Sequence, residues 1–252
     1  MAKKVLITGV SGLIGGLLTK HLQAIGGYEI TALNRRDVPG VKTVQADITD
    51  LDTIKPAFEG QDSVVHLSAV LTAATWDNLL SVNVSGTYNV FEAARLAGVR
   101  RVVFASSGAT IKGWEDELPY RDIIQENIDK APATWPMIGH QHVRPRGFYG
   151  ASKVCGEAIA RIFADQYGLS IICVRIGTVP VSNKPESSME RSTYLSHGDV
   201  TDILHKALEI SGEIGFDIVM ATSDNKWGYR DQTHARNVLG FVPKDSSDQF
   251  AD

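Results

Sequence analysis

The stretch Thr8-Gly9-Val10-Ser11-Gly12-Leu13-Ile14-Gly15 restricts the fold more than any other part of this chain. It follows the apolar run Val5-Leu6-Ile7 and leads into a helical pattern carried by Leu17, Leu18 and Leu22. A strand-forming run, three glycines at i, i+3 and i+6, and then a helix describe the first strand-turn-helix of a dinucleotide-binding unit. Gly9 permits the tight turn, Gly12 lets backbone N–H groups approach a pyrophosphate, and Gly15 lets the helix pack closely on the strand. Ser11, Leu13 and Ile14 complete the turn, and the helix N-terminus behind it presents a partial positive charge to phosphate.

The rest of the chain is consistent with a soluble globular protein built on that turn. Its 252 residues, 43% of them hydrophobic, suffice for one full-sized core, so a single domain over 1–252 is expected. The net charge of −4 and the scattered lysines and arginines give no reason to expect nucleic acid or an anionic membrane as partner. Cys155 and Cys173 lie in apolar segments without metal-ligand spacing; buried free thiols in a reducing compartment are expected, and no metal site. The first strand begins close to Met1, which leaves no room for a signal peptide, and no apolar run approaches the roughly 20 residues of a membrane span. A cytoplasmic location is the expectation.

Further strands are predicted at Glu29–Leu33, Val41–Ala46, Ser63–Leu67, Arg101–Ala105, Ser170–Ile176 and Gly215–Thr222. Helical patterns alternate with them at Asp50–Phe58, Asp77–Gly98, Tyr149–Tyr167 and Val200–Ile210. That alternation implies an α/β fold, a Rossmann-type doubly wound parallel sheet. At the end of the second strand, where NAD requires an acidic residue for its ribose hydroxyls, stand Asn34, Arg35 and Arg36. A guanidinium fork suits a 2′-phosphate, so NADP is the preferred cofactor and NAD the alternative; simple solvated loop charges are the competing reading of Arg35 and Arg36. Asp47, followed by Ile48, either hydrogen-bonds an adenine amino group or caps the next turn. Leu67, Ser68 and Ala69 follow the fourth strand, small enough at the last two positions for a dinucleotide to lie close. His66 within that strand reads as a satisfied core histidine. The periodicity fails over 111–147 and 179–196, while a short helix is predicted at Asp231–Leu239; the segments 111–147, 179–196 and 223–252 are assigned to a small C-terminal substrate-capping region.

Tyr149-Gly150-Ala151-Ser152-Lys153 places a phenol and an ammonium four residues apart on one helix face. A nearby ammonium favours the phenolate and is expected to lower the tyrosine pKa, which makes Tyr149 a general base for a sugar or alcohol hydroxyl. Ser107, at the end of the fifth strand, is placed to hydrogen-bond the same oxygen.

These segments together resemble the extended short-chain dehydrogenases/reductases, the superfamily of nucleotide-sugar epimerases and dehydratases. The resemblance rests on the glycine turn, Asp47-Ile48, His66-Leu67-Ser68-Ala69, Asn83-Val84-x-Gly86-Thr87, Ser106-Ser107 and Tyr149-x-x-x-Lys153. Within it, Phe104-Ala105-Ser106-Ser107, Gly156-Glu157, Val174-Arg175-Ile176-Gly177, Ser192–His197 and Leu239–Asp245 resemble the uronate dehydrogenases, which oxidise the anomeric hydroxyl of a hexuronic acid. The resemblance implies Tyr149 as base, Lys153 as its electrostatic partner and ribose ligand, and Ser107 as substrate hydrogen-bonder. It adds Asn83 and Ile176 to the cofactor residues, and Leu71, Gly108, Thr178 and Arg191 to the substrate contacts. It also implies a homodimer that pairs the helix after Asp77 with the one carrying Tyr149. The chain departs from that family where Asn-His becomes Gly108-Ala109, where the carboxylate-gripping arginine aligns near Met189, and where a serine becomes Leu71. The expected activity is an NAD(P)-dependent dehydrogenation of a sugar, sugar acid or similar small hydroxy substrate. A nucleotide-sugar epimerase or dehydratase and a non-catalytic dinucleotide-binding regulator are the alternatives.

Overall fold

Runs such as Lys3–Thr8 and Ser170–Ile176 bury both faces, as strands covered by helices on each side must. In a computed structural model that describes residues 2–71, 74–125, 127–211 and 214–250, they form one parallel sheet. Its strands are β1 (Lys3–Thr8), β2 (Tyr28–Asn34), β3 (Lys42–Gln45), β4 (Ser63–His66), β5 (Arg101–Ser107), β6 (Ser170–Ile176) and β7 (Phe216–Ala221). Their order, β3-β2-β1-β4-β5-β6-β7, reverses direction between β1 and β4. That reversal leaves a crevice outside the carboxyl ends of the strands, where α/β sheets bind ligands.

The helices are α1 (Leu13–Ile25), α2 (Leu51–Phe58), α3 (Trp76–Asn78), α4 (Gly86–Leu96), α5 (Tyr120–Ile124), α6 (Phe148–Tyr167), α7 (Ser188–Thr193), α8 (His197–Glu209) and α9 (Thr233–Leu239). One apolar core unites Leu18 and Leu22 of α1 with Ile203 and Leu204 of α8 on one face of the sheet. On the other face Phe58 of α2, Phe91 of α4 and Phe163 of α6 share a second core.

Several expectations are corrected here. The helix predicted from Asp77 to Gly98 begins at Trp76, ends at Leu96, and joins α3 to α4 through a π-helical segment, Leu79–Ser85. Cys155 is exposed on α6, and only Cys173 is buried. The segment 111–147 contains α5 and two 3-10 segments, Gly108–Asp116 and Ile128–Lys130, and 179–196 contains α7. Residues 126, 251 and 252 of the predicted capping segments lie outside the described residues.

Two polar devices hold the strand ends that carry the site. His66 is buried, with Nδ1 2.8 Å from Thr8 Oγ1 and Nε2 3.1 Å from Thr87 Oγ1. Thr8 Oγ1 already accepts from the Leu67 and Ser68 N–H groups at 3.1 and 3.0 Å. Its own proton therefore points to Nδ1, which leaves Nε2–H to meet Thr87. Burial, reinforced by the Lys153 charge, lowers the His66 pKa to about 3, so the ring is a neutral brace. The second device is the fork between Arg175 and Glu157, with Nε and Nη2 donating to Oε1 and Oε2 at 2.8 Å each. Arg175 Nη1 also reaches the His142 carbonyl at 2.7 Å, and Ser106 Oγ donates to Glu157 Oε1 at 2.6 Å.

Two stability outcomes are expected. A Cβ at Gly15 would lie 2.3 Å from the Gly9 carbonyl oxygen, whereas one at Gly16 would meet nothing nearer than 3.7 Å. Gly15→Ala should therefore destabilise by about 1–3 kcal/mol, and Gly16→Ala should stabilise by about 0.5–1 kcal/mol through helix propensity; urea denaturation of both variants checks the contrast. Arg175→Met should cost about 3–5 kcal/mol by stranding a buried carboxylate. The double variant Arg175→Met/Glu157→Leu should lose less than that in the same assay.

Candidate active site

The crevice beyond β1, β2 and β4 is a cleft of about 440 Å³. Gly9, Ser11 and Gly12 line it from the turn, Asn34, Arg35 and Arg36 from the end of β2, Asp47 and Ile48 from the end of β3, and Leu67, Ser68 and Ala69 from the end of β4. Leu33, Ala46, Val70 and Val82 complete the wall. The turn has the geometry its glycines demand. Gly9 has φ +76°, and a Cβ there would lie 3.0 Å from the Ser68 nitrogen. Helix α1 starts at Gly12 without a side-chain cap, and Leu13, Ile14 and Gly15 form its first turn behind the cleft. An uncapped helix N-terminus over a backbone cradle fits a pyrophosphate, as the sequence pattern requires.

Asn34 is held by its neighbours. Its Oδ1 accepts from Ser11 Oγ at 3.1 Å, and its Nδ2 donates to the Arg36 carbonyl at 2.9 Å. Arg35 and Arg36 are exposed at the rim. Asp47 Oδ1 accepts from the Thr49 N–H and hydroxyl at 3.0 and 2.9 Å, so it caps a turn while lining the cleft. Asn83, expected beside the cofactor, is not a lining residue. Its buried carboxamide accepts from Val70 N at 2.9 Å and donates to Val70 O at 3.0 Å and Ser152 Oγ at 3.1 Å. The amide therefore ties the loop after β4 to α6.

A second cavity, about 340 Å³, opens beyond β5 and β6. Ser107, Gly108, Tyr149, Ile176 and Thr178 all line it, as do Met189 and Thr193 of α7. Thr178 Oγ1 lies 2.8 Å from Thr193 Oγ1. Ser107 Oγ accepts from Ala109 N at 3.1 Å. Arg191 is not brought to this cavity, and Leu71 is two-thirds exposed and lines neither space.

The electrostatics differ from the simple i,i+4 argument. Burial raises the Tyr149 pKa above the usual phenol value, and a hydrogen bond with Ser107 opposes that rise. The Lys153 ammonium is buried, 5.9 Å from the centre of the Tyr149 ring, and donates to the Ala105 carbonyl at 2.8 Å. Burial lowers its own pKa to about 8, against the opposing charge of Glu157. The expected lowering of Tyr149 by Lys153 is absent: burial of the phenol is the larger influence, and the ammonium is engaged by the Ala105 carbonyl.

The cavity also holds charged residues that local pattern did not reveal. Glu115 is buried, with Oε1 accepting from Tyr229 Oη at 2.6 Å and Oε2 from Arg146 Nη2 at 3.2 Å. Arg230 lies against Gly108, where a Cβ would fall 2.3–2.4 Å from its guanidinium atoms. Both arrive from the irregular segments, and no motif spacing links them to Tyr149. The one available signal is Gly108 itself, a glycine following two serines where a side chain is expected.

Comparison with known proteins agrees with this geometry. Residues 5–197 match the NAD dependent epimerase/dehydratase family, and the chain belongs to that family. It is 31% identical to a uronate dehydrogenase from Pseudomonas putida, over 98% of this chain and 86% of that protein. It is 30% identical to an L-arabinose 1-dehydrogenase (NAD(P)(+)) from Haloferax volcanii, over 97% of each. The fold matches a mutant uronate dehydrogenase from Agrobacterium tumefaciens complexed with NAD, with a TM-score of 0.82 and 28% identity over 99% of this chain and 88% of that one.

Proposed function

We propose that the chain is an NAD(P)-dependent dehydrogenase that oxidises a hydroxyl of a sugar or sugar acid. The observation that carries this reading is the meeting of Ser107 and Tyr149 in one cavity beyond β5, on the strand edge that also carries the glycine cleft. The uronate and arabinose dehydrogenases it resembles support the substrate class. At about 340 Å³ the cavity is near the lower end of small-molecule sites, a size that suits one sugar ring better than a sugar nucleotide.

The cradle of Gly9, Ser11 and Gly12 holds the cofactor pyrophosphate, and Asp47 with Ile48 borders its adenosine end. When bound, the nicotinamide supplies a hydride acceptor. Tyr149 Oη takes the hydroxyl proton and Ser107 Oγ donates a hydrogen bond to the reacting oxygen, while the buried Lys153 ammonium braces β5 behind the phenol through the Ala105 carbonyl. The segments within 111–147, 179–196 and 223–250 wall off the substrate from water. The paired state is a homodimer through α4 and α6, supported by exposed Tyr88, Leu96, Ile162 and Tyr167 on those helices and checked by light scattering. The free thiols Cys155 and Cys173 suit a cytoplasmic enzyme.

Screening sugars and uronates for nicotinamide reduction tests the activity. Tyr149→Phe should lower turnover by about 10²–10⁴-fold. Because the phenol pKa is raised, the base form is scarce at neutral pH and grows as pH rises. Oxidation by the unmodified enzyme should therefore accelerate toward alkaline pH by up to about tenfold per unit; a flat profile together with an active Tyr149→Phe defeats the assignment.

For the cofactor we propose NADP over NAD. Asn34 presents no carboxylate to a 2′-phosphate, and Arg35 and Arg36 line the same end of the cleft. A charge-assisted hydrogen bond of roughly 1.5–3 kcal/mol corresponds to a preference of about 10- to 100-fold. Values of kcat/KM for both cofactors, with and without Arg35→Ala, check this. Equal or better use of NAD by the unmodified enzyme overturns it.

A further inference from the structure

Arg230 has the chemistry of a ligand-binding group, and most of its donors lack a hydrogen-bond partner among the described residues. Only 5% of the residue is exposed, and its Nε and Nη1 are buried without a hydrogen-bond partner among the described residues. Nη2 makes one long contact, 3.5 Å to Tyr229 Oη. The nearby carboxylate of Glu115 is engaged by Tyr229 and Arg146. A guanidinium stays charged whatever its surroundings and carries five donors in a rigid fork. Burying such a group with donors unpaired is costly unless something in the cavity completes it.

The position of the fork is as informative as its missing partners. The guanidinium fills the space that any side chain at residue 108 would take, with a Cβ there 2.3 Å from Nη1 and 2.4 Å from Cζ. Gly108 immediately follows Ser107, and both line the cavity with Tyr149 and Arg230. The charge therefore stands beside the reacting centre. Nη2 shares one edge of the guanidinium with Nε and the other with Nη1, and its own contact is long, so a planar anion accepting from Nη2 together with either unpartnered nitrogen is the matching group. Met189 lines the same cavity and provides no charge.

We propose that Arg230, admitted by the absence of a side chain at Gly108, grips an anionic substituent of the sugar, a carboxylate or a phosphate, and so selects acidic sugars over neutral ones. The proposal rests on the dehydrogenase reading for its kinetic test but not for its binding test. The back of the site is then the segment around Arg230, joined to the irregular segment 111–147 by the parallel bridge between Ile138 and Arg230.

Binding is measured first, with glucuronate, glucose 6-phosphate and glucose as probes in thermal denaturation of the full chain, unmodified and as Arg230→Met. The anionic probes should raise the melting temperature of the unmodified protein more than glucose does, and the difference should vanish in Arg230→Met. The larger of the two anionic shifts identifies carboxylate or phosphate as the source. Without ligand, Arg230→Met should melt no lower than the unmodified protein, since it removes a buried charge with unpaired donors. Gly108→Ala, which pushes the guanidinium out, should abolish the anion-dependent shift as well. The ratio of kcat/KM for the anionic sugar over its neutral counterpart should fall by roughly 10²-fold or more in Arg230→Met, with partial recovery in Arg230→Lys. No anion-dependent shift in the unmodified protein, or an unchanged ratio in Arg230→Met, overturns the proposal. Anion binding through Arg230 without turnover of any sugar upholds it and defeats the dehydrogenase reading.

Discussion

The fork between Arg175 and Glu157 is the joint on which the site depends. Arg175 belongs to β6 and stands beside Ser106 of β5 in the sheet register. Glu157 belongs to α6, one turn beyond Lys153 and two beyond Tyr149, so its anchorage sets the rotation of the face that presents both. Ser106 binds the same carboxylate, and the His142 carbonyl caps the arginine's third nitrogen. One buried pair thus positions two strand ends, the helix bearing Tyr149, and the loop leading into that helix. Two parallel hydrogen bonds fix orientation as well as distance, which a single lysine contact would not do.

The dinucleotide half depends on a smaller knot. Thr8 Oγ1 accepts two N–H groups from the end of β4 and leans on a neutral His66. This fixes the width of the crevice at the reversal of strand order, where the glycine turn faces Ser68. Asn83, set in the π-helical segment, extends the brace to Ser152 on α6. The extra residue of a π turn re-aims side chains within a helix, and here it directs a carboxamide at the loop after β4.

The sheet was legible because buried parallel strands are continuous apolar runs, and Ser170–Ile176 was read with its observed ends. The lining of the glycine cleft was legible because its residues follow strands one by one. The π turn was not, since Leu79, Val82 and Val84 satisfy an ordinary helical period. Cys155 is exposed although its segment is apolar, because apolar residues of α6 are themselves exposed on its face, as Ile162 is one heptad on. Tyr149 and Lys153 were found by spacing, yet spacing could not show that the Ala105 carbonyl captures the ammonium. Arg230 left only an indirect trace, the missing side chain at Gly108 whose space its guanidinium fills, and nothing in the spacing ties that glycine to a residue more than a hundred positions away.

The irregular segments carry a core of their own. Ile111, Tyr120, Ile123, Ile138 and Tyr229 pack with Met220 of β7, and Trp135 stacks on Trp227 with ring centres 5.7 Å apart. These contacts are separate from those that build the two faces of the sheet, and they make a wall beside Glu115 and Arg230 of the second cavity. In a lineage of such chains, this wall is the part that can drift, because recutting it leaves the nucleotide half and its hydride chemistry intact. The aromatic knot thus separates the inheritance of a reaction from the inheritance of a taste for one sugar.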